Sequence, residues 1–204
     1  MLPVPLESLL AGHVPAIEVE IKYRLNSPED LKSGHPELAQ LVFGPAERQV
    51  DQYFNHPQRN FAETHEALRI RSSGEQHCLT YKAPRLDTHT RTRPETEVPL
   101  GDDPTTPALF RSVLLTLGFR EIATIVKTRR TATWWEEGLP VTVVLDHPEE
   151  CGWFLELERI VTVDTWITAR DQLVALAERW GLAEHREPRS YLRMWLERHP
   201  EALA

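Results

Sequence analysis

One short stretch constrains this chain most, the segment Glu18-Val19-Glu20-Ile21-Lys22. In a β-strand, successive side chains point to opposite faces, so two carboxylates and one ammonium share a face here. The other face is apolar. Taken alone, this pattern is also typical of a surface strand whose charged face meets water.

The same arrangement recurs along the chain. Like charges two residues apart appear in four later segments, at Arg69/Arg71, Glu95/Glu97, Lys127/Arg129 and Glu156/Glu158. Two apolar runs also end in a charge, at Lys82 and at Asp146. So many charged strand faces in one chain favour strands whose charged faces look at each other across a shared interior.

The alternating and apolar segments predict eight or nine strands, mostly antiparallel neighbours. They lie at 16–25, 48–54, 66–72, 76–83, 91–100, 119–136 (one strand or two), 141–146 and 153–160. Helices are predicted at 28–42, with an interruption allowed at Gly34-His35-Pro36, and at 102–117, 164–180 and 188–198. Eight antiparallel strands can close into a barrel. The predicted fold class is therefore α+β, an eight-stranded antiparallel closed β-barrel with helices packed outside.

Length and charge limit the function classes. The 204 residues suggest one domain over 16–198, with an N-terminal extension over 1–15 and a C-terminal tail over 199–204. A net charge of −8 gives no reason to expect nucleic acid, so any anionic ligand must be held by locally clustered bases.

Localisation signals are also missing from the sequence. We find no signal-peptide pattern and no apolar run of membrane-spanning length, and we predict a cytoplasmic protein without a membrane partner. Cys78 and Cys151 lie far apart with no metal-ligand spacing. Each is expected to be a small buried residue in a reducing compartment.

A charged interior predicts a particular kind of ligand. The inward bases are expected to be Lys22, Arg69, Arg71, Lys82, Arg93, Lys127 and Arg129, and the inward acids Glu18, Glu20, Glu95, Glu97, Asp146, Glu156 and Glu158. Buried ions cost several kcal/mol each unless they find partners. Arginine and lysine hold phosphate oxygens, and carboxylates hold Mg²⁺ or Mn²⁺. The interior therefore suits a polyphosphate with its metal ions, whose chemistry needs positioning and charge neutralisation rather than a covalent nucleophile.

An ordered set of motifs matches a known family. The set is Glu18-x-Glu20-x-Lys22, Asp51-Gln52-Tyr53-Phe54, Ala67-Leu68-Arg69-Ile70-Arg71, Leu79-Thr80-Tyr81-Lys82, Glu95-x-Glu97, Lys127-x-Arg129, Asp146, Glu156-x-Glu158 and Glu187-Pro188-Arg189-Ser190-Tyr191. Over 17–196 the chain resembles the CYTH domain, also called the triphosphate tunnel metalloenzymes.

Within that family the chain most resembles the bacterial class IV adenylate cyclases. The resemblance rests on Tyr53-Phe54, Leu117-Gly118-Phe119 and the Glu-Pro-Arg-Ser-Tyr segment. It departs from the pattern in three places. Ala83 stands where glycine is expected, Arg91/Arg93 replaces a lysine–arginine pair, and residues 1–15 have no counterpart.

The resemblance implies a tunnel that binds a triphosphate with two Mg²⁺ or Mn²⁺ ions. It implies metal ligands at Glu18, Glu20, Glu156 and Glu158. It implies triphosphate-binding bases at Lys22, Arg69, Arg71, Lys82, Arg93, Lys127 and Arg129, with Lys22, Arg129 and Asp146 as catalytic residues. Supporting roles fall to Glu95, Glu97, Arg189 and Tyr191. Relatives also lead us to expect a homodimer.

Three functions stay open at this point. A class IV adenylate cyclase would convert ATP to 3′,5′-cyclic AMP and pyrophosphate. A triphosphatase would hydrolyse tripolyphosphate or thiamine triphosphate with the same residues. A non-catalytic module would bind polyphosphate or nucleotide, although simple anion binding does not need four metal-type glutamates. A barrel without any ligand would leave the inward charges unexplained.

Overall fold

A computed structural model describes residues 16–203, so the predicted extension over 1–15 lies outside the described residues. The strands are β1 (Ala16–Leu25), β2 (Glu47–Asn55), β3 (Ala67–Ser73), β4 (Gln76–Lys82), β5 (Arg93–Gly101), β6 (Arg120–Glu136), β7 (Leu139–Pro148) and β8 (Trp153–Val161). The α-helices in the described range are α1 (Asp30–Ser33), α2 (Phe61–Thr64), α3 (Thr106–Thr116), α4 (Trp166–Arg179) and α5 (Tyr191–Leu196).

The eight strands form one closed barrel in the order β1-β5-β4-β3-β2-β6-β7-β8. Every neighbouring pair is antiparallel, including the β1–β8 pair that closes the barrel. This confirms the predicted fold. Because closure leaves each strand with one inward and one outward face, the alternating pattern of the sequence separates charged from apolar side chains.

The outward face of β1 and β8 carries the main apolar core. Val19, Ile21 and Leu157 are buried there against helix α4. Helix α4 presents Leu173 and Leu176 to them, three positions apart and therefore on one helical face. The barrel is thus supported from outside, and its interior is left to the charged side chains.

The first predicted helix, over 28–42, was wrong in extent. The structure has only the single turn α1 there, followed by Gly34-His35-Pro36 and a short 3₁₀ turn at Leu38–Gln40. Pro36 has no backbone N–H to donate and its ring clashes with the preceding turn, which prevents a continuous helix.

Other features also differ from the sequence prediction, and the alternative of one strand or two over 119–136 is resolved. Helix α5 begins at Tyr191 instead of 188, because the Ser190 hydroxyl caps it by accepting from the Arg193 N–H. Strand β6 is one strand of 17 residues. The single-turn helix α2, capped by Asn60, was not predicted.

The structure describes the end of the chain as far as residue 203, where Pro200–Leu203 form a 3₁₀ turn. The divisions at 15/16 and 198/199 stay predictions. Within residues 16–203, the structure contains no helix that combines the length and the apolar character needed to cross a membrane.

Candidate active site

The inward faces of the strands enclose a cavity of about 770 Å³. Twelve of the predicted site residues lie on strands and border it, among them metal-type glutamates and bases: Glu18, Glu20, Arg69, Arg71, Lys82, Arg93, Lys127, Arg129, Glu156 and Glu158. Glu95 and Glu97 of β5 complete the twelve, and Arg189 and Tyr191 reach the cavity from the C-terminal segment. The cavity is therefore the place where the predicted charges meet.

Three carboxylates gather at one point of this wall. Oxygens of Glu18, Glu20 and Glu158 lie within 4.8 Å of one another. Glu20 and Glu158 are directly opposite each other in the β1–β8 ladder. Like charges in such a pair destabilise a sheet unless something lies between them. An oxygen donor set of this kind suits Mg²⁺ or Mn²⁺, so these residues fit the metal that the sequence implied.

The environment of Glu158 reflects this crowding. Burial raises the pKa of Glu158 to about 8, and the negative charges of Glu156, Glu18 and Glu20 add to the rise against the opposing charge of Arg129. Binding of a cation here would displace the proton. Metal affinity at this cluster therefore depends on pH.

Glu156 does not lie in the three-carboxylate cluster. Its carboxylate accepts from Arg129 Nη2 at 2.7 Å, and Arg91 Nη1 lies 4.0 Å away. Of the four predicted metal ligands, the structure thus brings three together and turns the fourth towards bases.

Two bases, Lys82 and Arg91, form ion pairs with the carboxylates of the cavity. Lys82 Nζ lies 2.5 Å from Glu18 and 2.9 Å from Glu95. Arg91 donates to Glu20 through Nη1. Burial is the largest influence on the pKa of Glu20 and would raise it, but the positive charges of Arg91, Lys82 and Lys22 together lower that pKa. Glu20 is therefore held as a carboxylate, the form that binds metal.

On β6, Lys127 and Arg129 are held by Asp146 of the neighbouring strand β7. Lys127 Nζ donates to Asp146 at 2.7 Å, and Arg129 donates to the same carboxylate through Nε at 2.8 Å and Nη2 at 2.6 Å. Asp146 is fully buried behind the two bases and does not border the cavity. Its contacts are with the bases and not with the space that a ligand would occupy.

On β3, Arg69 and Arg71 are held in a similar way by Asp51 of β2. Arg71 donates through Nε at 2.6 Å and Nη2 at 2.7 Å, and Arg69 Nη1 lies 3.4 Å from the same carboxylate. Burial alone would raise the pKa of Asp51, but the charges of Arg69 and Arg71 hold it well below its usual range. Asp51 is therefore ionised.

Lys22 lies apart from the other bases. Its ammonium sits 4.0 Å from the ring centroid of Tyr191, and it has no hydrogen-bond partner within residues 16–203. Burial and the nearby charge of Arg91 lower the pKa of Lys22 to about 7. Lys22 is not among the residues that border the large cavity, although it shares the inward face with Glu18 and Glu20.

The remaining predicted residues also border the cavity. Arg93 donates to the carbonyl of His65 at 3.4 Å, and Glu97 accepts from the Thr80 hydroxyl at 3.0 Å. Arg189 is engaged by Glu187 and Glu197 on the surface. The Tyr191 hydroxyl is buried and has no hydrogen-bond partner in the part of the chain that the structure describes.

Arg91 and Asp51 are site residues that the sequence prediction missed. Arg91 stands two positions before Arg93, so the same spacing rule that selected the other basic pairs could have included it. Asp51 was part of a quoted motif, but a single carboxylate in a strand carries no signal of its partner. That partner, Arg71, is set by the β2–β3 register.

Comparisons with known proteins agree with this architecture. The sequence model of the CYTH domain matches residues 16–191. The protein named "Putative adenylate cyclase MJ0240" from Methanocaldococcus jannaschii is 36% identical over 146 residues, which cover 72% of this chain and 78% of that protein.

Two solved structures show the same fold. The PH1819 protein from Pyrococcus horikoshii is 35% identical, with a TM-score of 0.75 over 89% of this chain and 99% of that one. A Hippeastrum protein, described as a "putative adenylyl cyclase" with "a dominant" triphosphatase activity, is 18% identical, with a TM-score of 0.60 over 91% of this chain and 96% of that one. The closed barrel, its charged interior and the family match over residues 16–191 together establish that this chain belongs to the CYTH domain family.

Proposed function

We propose that this protein is a divalent-metal-dependent enzyme that acts on a triphosphate, and that its reaction is the conversion of ATP to 3′,5′-cyclic AMP and pyrophosphate. The observation that carries the proposal is that one cavity is bordered both by a cluster of carboxylates and by a set of guanidinium and ammonium groups. Glu18, Glu20 and Glu158 lie together, and the bases Arg69, Arg71, Lys127 and Arg129 border the same cavity.

The chain's own residues would mainly bind and orient the phosphates. Arg71 and Arg129 each present a guanidinium that an aspartate already holds at two points. Such fixed donors bind phosphate oxygens through charge-assisted hydrogen bonds without first losing side-chain freedom. Lys82 and Arg93 border the cavity as well, and each adds positive charge.

Metal at Glu18, Glu20 and Glu158 would supply charge neutralisation and would activate the attacking hydroxyl. In the cyclase reaction the 3′-hydroxyl oxygen bonds to the α-phosphorus, the bond from that phosphorus to the bridging oxygen breaks, and pyrophosphate leaves with the electron pair. The hydroxyl proton goes to solvent. No covalent intermediate with the protein is required.

The size of the cavity supports a substrate with an organic part. A volume of about 770 Å³ is in the range that encloses a drug-sized ligand. The cavity is bordered by apolar and aromatic side chains as well as by charges, among them Phe61, Leu192 and Leu196. The relative from Methanocaldococcus jannaschii, at 36% identity, carries a cyclase name, which favours ATP as the triphosphate.

The second candidate is a triphosphatase, in which water attacks the terminal phosphorus and the bond from that phosphorus to the bridging oxygen breaks. The remaining diphosphate part leaves with the electron pair, and the terminal phosphorus is released as orthophosphate. One observation favours it. The charged side chains that border the cavity are of the types that bind phosphates and metal ions, and none of these contacts recognises a ribose. The Hippeastrum protein, similar in fold, is described by a triphosphatase activity.

A product assay tests the proposal. The purified protein is incubated with Mg²⁺ or Mn²⁺ and, separately, with ATP, thiamine triphosphate and tripolyphosphate, and Glu20→Gln serves as the matched variant. We expect cyclic AMP and pyrophosphate from ATP, and none from the variant.

Other products would change the assignment. Orthophosphate without cyclic AMP would replace the cyclase by the triphosphatase. Tight binding without any product would indicate a non-catalytic module. The absence of both binding and product would overturn the proposal. A cytoplasmic location and a homodimer stay predictions.

A further inference from the structure

The barrel contains the same arrangement of bases twice. On β3, Arg69 and Arg71 stand two residues apart, and Asp51 of β2 is directly opposite Arg71. On β6, Lys127 and Arg129 stand two residues apart, and Asp146 of β7 is directly opposite Arg129. Each aspartate holds both bases of its neighbouring strand. Asp146 belongs to the predicted site, but Asp51 has no assigned role.

The side-chain contacts of Asp51 are with neighbouring residues of β2 and β3. Arg71 engages both of its oxygens, Arg69 engages one, and the Tyr53 hydroxyl lies 3.5 Å away. Asp51 is 2% exposed and is not among the residues that border the cavity. A ligand in the cavity would therefore meet the arginines and not Asp51 itself.

We propose that Asp51 is a positioning residue, which fixes Arg71 and Arg69 on the tunnel wall so that a bound triphosphate is held in one register. The inference rests on the proposed function, because it concerns how the same cavity receives its substrate. It adds a residue that acts through the two arginines.

Electrostatics distinguish positioning from simple attraction. Asp51 is a negative charge close to where the phosphates would bind, so its removal makes the wall more positive and does not weaken the general attraction of an anion. What is lost is the fixed direction of two long guanidinium side chains. Misplacement by about 1 Å can cost roughly 100-fold in rate even when binding is retained.

The test is Asp51→Asn in the full chain, with turnover and affinity measured separately. We expect the turnover of the preferred triphosphate to fall roughly 10- to 100-fold. The Kd for tripolyphosphate in metal-free buffer should stay the same or decrease. The ratio of the affinity for tripolyphosphate to the affinity for pyrophosphate should decrease, because misplaced arginines no longer match the phosphate positions of the longer chain.

Glu66→Gln is the matched control for loss of a buried carboxylate. Glu66 borders the cavity, but it accepts from Tyr81 and Thr64 and pairs with Arg59, so none of its partners is a predicted phosphate-binding base. This variant reports the cost to Tm of removing a buried charge. We expect its preference for tripolyphosphate over pyrophosphate to match that of the wild type.

A double-mutant cycle separates positioning from a structural role. If Asp51 acts through the two arginines, Asp51→Asn should cost less turnover in an Arg71→Ala background than in the wild type, because only Arg69 is then left for Asp51 to position. Additive losses, or a weaker Kd that follows a lowered Tm, would overturn the proposal. If Asp51→Asn does not fold, Arg71→Lys tests the same contact, since it keeps the charge but loses the two-point hydrogen bond. In that case unchanged turnover and unchanged preference would overturn it.

The two proposals can fail separately. A wild-type protein that turns over no triphosphate would remove the proposed function, and the affinity ratio would still test Asp51. A wild-type enzyme that is active, with Asp51→Asn equal to it in both turnover and affinity ratio, would overturn the role of Asp51 alone.

Discussion

The two faces of strand β1 are buried almost equally and yet contain opposite chemistry. The outward side chains are between 0% and 3% exposed: Ile17, Val19, Ile21 and Tyr23. The inward side chains are between 1% and 6% exposed: Glu18, Glu20 and Lys22. Burial by itself therefore does not say what a residue of this strand contributes.

The difference lies in what each face contacts. The outward face packs against α4, so its apolar area is removed from water and stabilises the fold. The inward face places ions opposite ions, where the cost of desolvation offsets most of the attraction. We infer that the outward face contributes most of the strand's stability and that the inward charges serve a ligand. The following predictions test that division.

The largest effect is expected from Glu20→Gln. It removes a carboxylate of the three-carboxylate cluster while keeping its shape, and turnover with Mg²⁺ or Mn²⁺ should fall by more than roughly 100-fold, since even indirect metal partners are worth 10- to 100-fold. The fold should be retained, because glutamine keeps the shape and a side-chain oxygen that can accept from Arg91, and Glu156 lies 4.0 Å from the same guanidinium. Product assays and thermal unfolding check both statements. A fully active variant would contradict the metal assignment.

Substitution of Ile21, the residue after Glu20, should lower stability and leave turnover nearly unchanged. Ile21→Ala removes buried apolar volume from the outward face and should lower the free energy of unfolding by about 2–5 kcal/mol. Turnover per folded molecule should change little. Urea unfolding and active-site titration measure the two quantities, and a variant with normal stability but low turnover would refute the division between the faces.

A pair of arginines tests the same division at the level of binding. Arg69→Ala should weaken triphosphate binding by about 10- to 100-fold, the value of one charge-assisted hydrogen bond. Arg159 of β8 points outward, where it donates to Gln172 and to the carbonyl of Pro140, so Arg159→Ala should leave triphosphate affinity unchanged while lowering stability. Calorimetric titration with tripolyphosphate distinguishes them. Equal affinity for Arg69→Ala and the wild type would place β3 one residue out of register.

The smallest effect concerns pH. Burial and the charges of Arg129 and Arg71 lower the pKa of Lys127 to about 8, against the opposing charge of Asp146. Above that pH the ammonium is lost, so triphosphate affinity should fall about tenfold between about pH 7 and about pH 9.5.

The stability of the ligand-free protein should change in the opposite sense. A lysine whose pKa is lowered by folding holds fewer protons in the folded state, so stability should rise as pH increases from about 8 towards the ordinary lysine pKa. Lys127→Arg keeps its charge and should weaken both trends, and the rise in stability that remains is due to Lys22, whose pKa is lowered to about 7. A flat affinity profile for the wild type would show that Lys127 does not contact the phosphates.

Much of the fold follows from local alternation. A period of two in side-chain direction is a property of any strand, so the segment 18–22 already separates acids from apolar residues. The same rule placed Arg69, Arg71, Lys127 and Arg129 inside, and all four border the cavity. The extent of the helices was predicted less well, since Pro36 and the Ser190 cap act at single positions.

The partners of each charge could not be predicted in this way. Lys82 meets Glu18 across 64 residues of sequence, and Arg91 meets Glu20 across 71. Such pairs depend on strand order and register, which long-range hydrogen bonding decides. For the same reason the sequence alone did not reveal that Glu156 turns towards Arg129, or that Lys22 lies under Tyr191.

Inward or outward direction is a local, alternating property of each strand, so the side chains that enter the barrel could be predicted from the sequence. The three-dimensional fold was needed to show which of them form the carboxylate cluster, which hold other side chains in place and which border the cavity. Those outcomes depend on distances between strands that lie far apart in the chain.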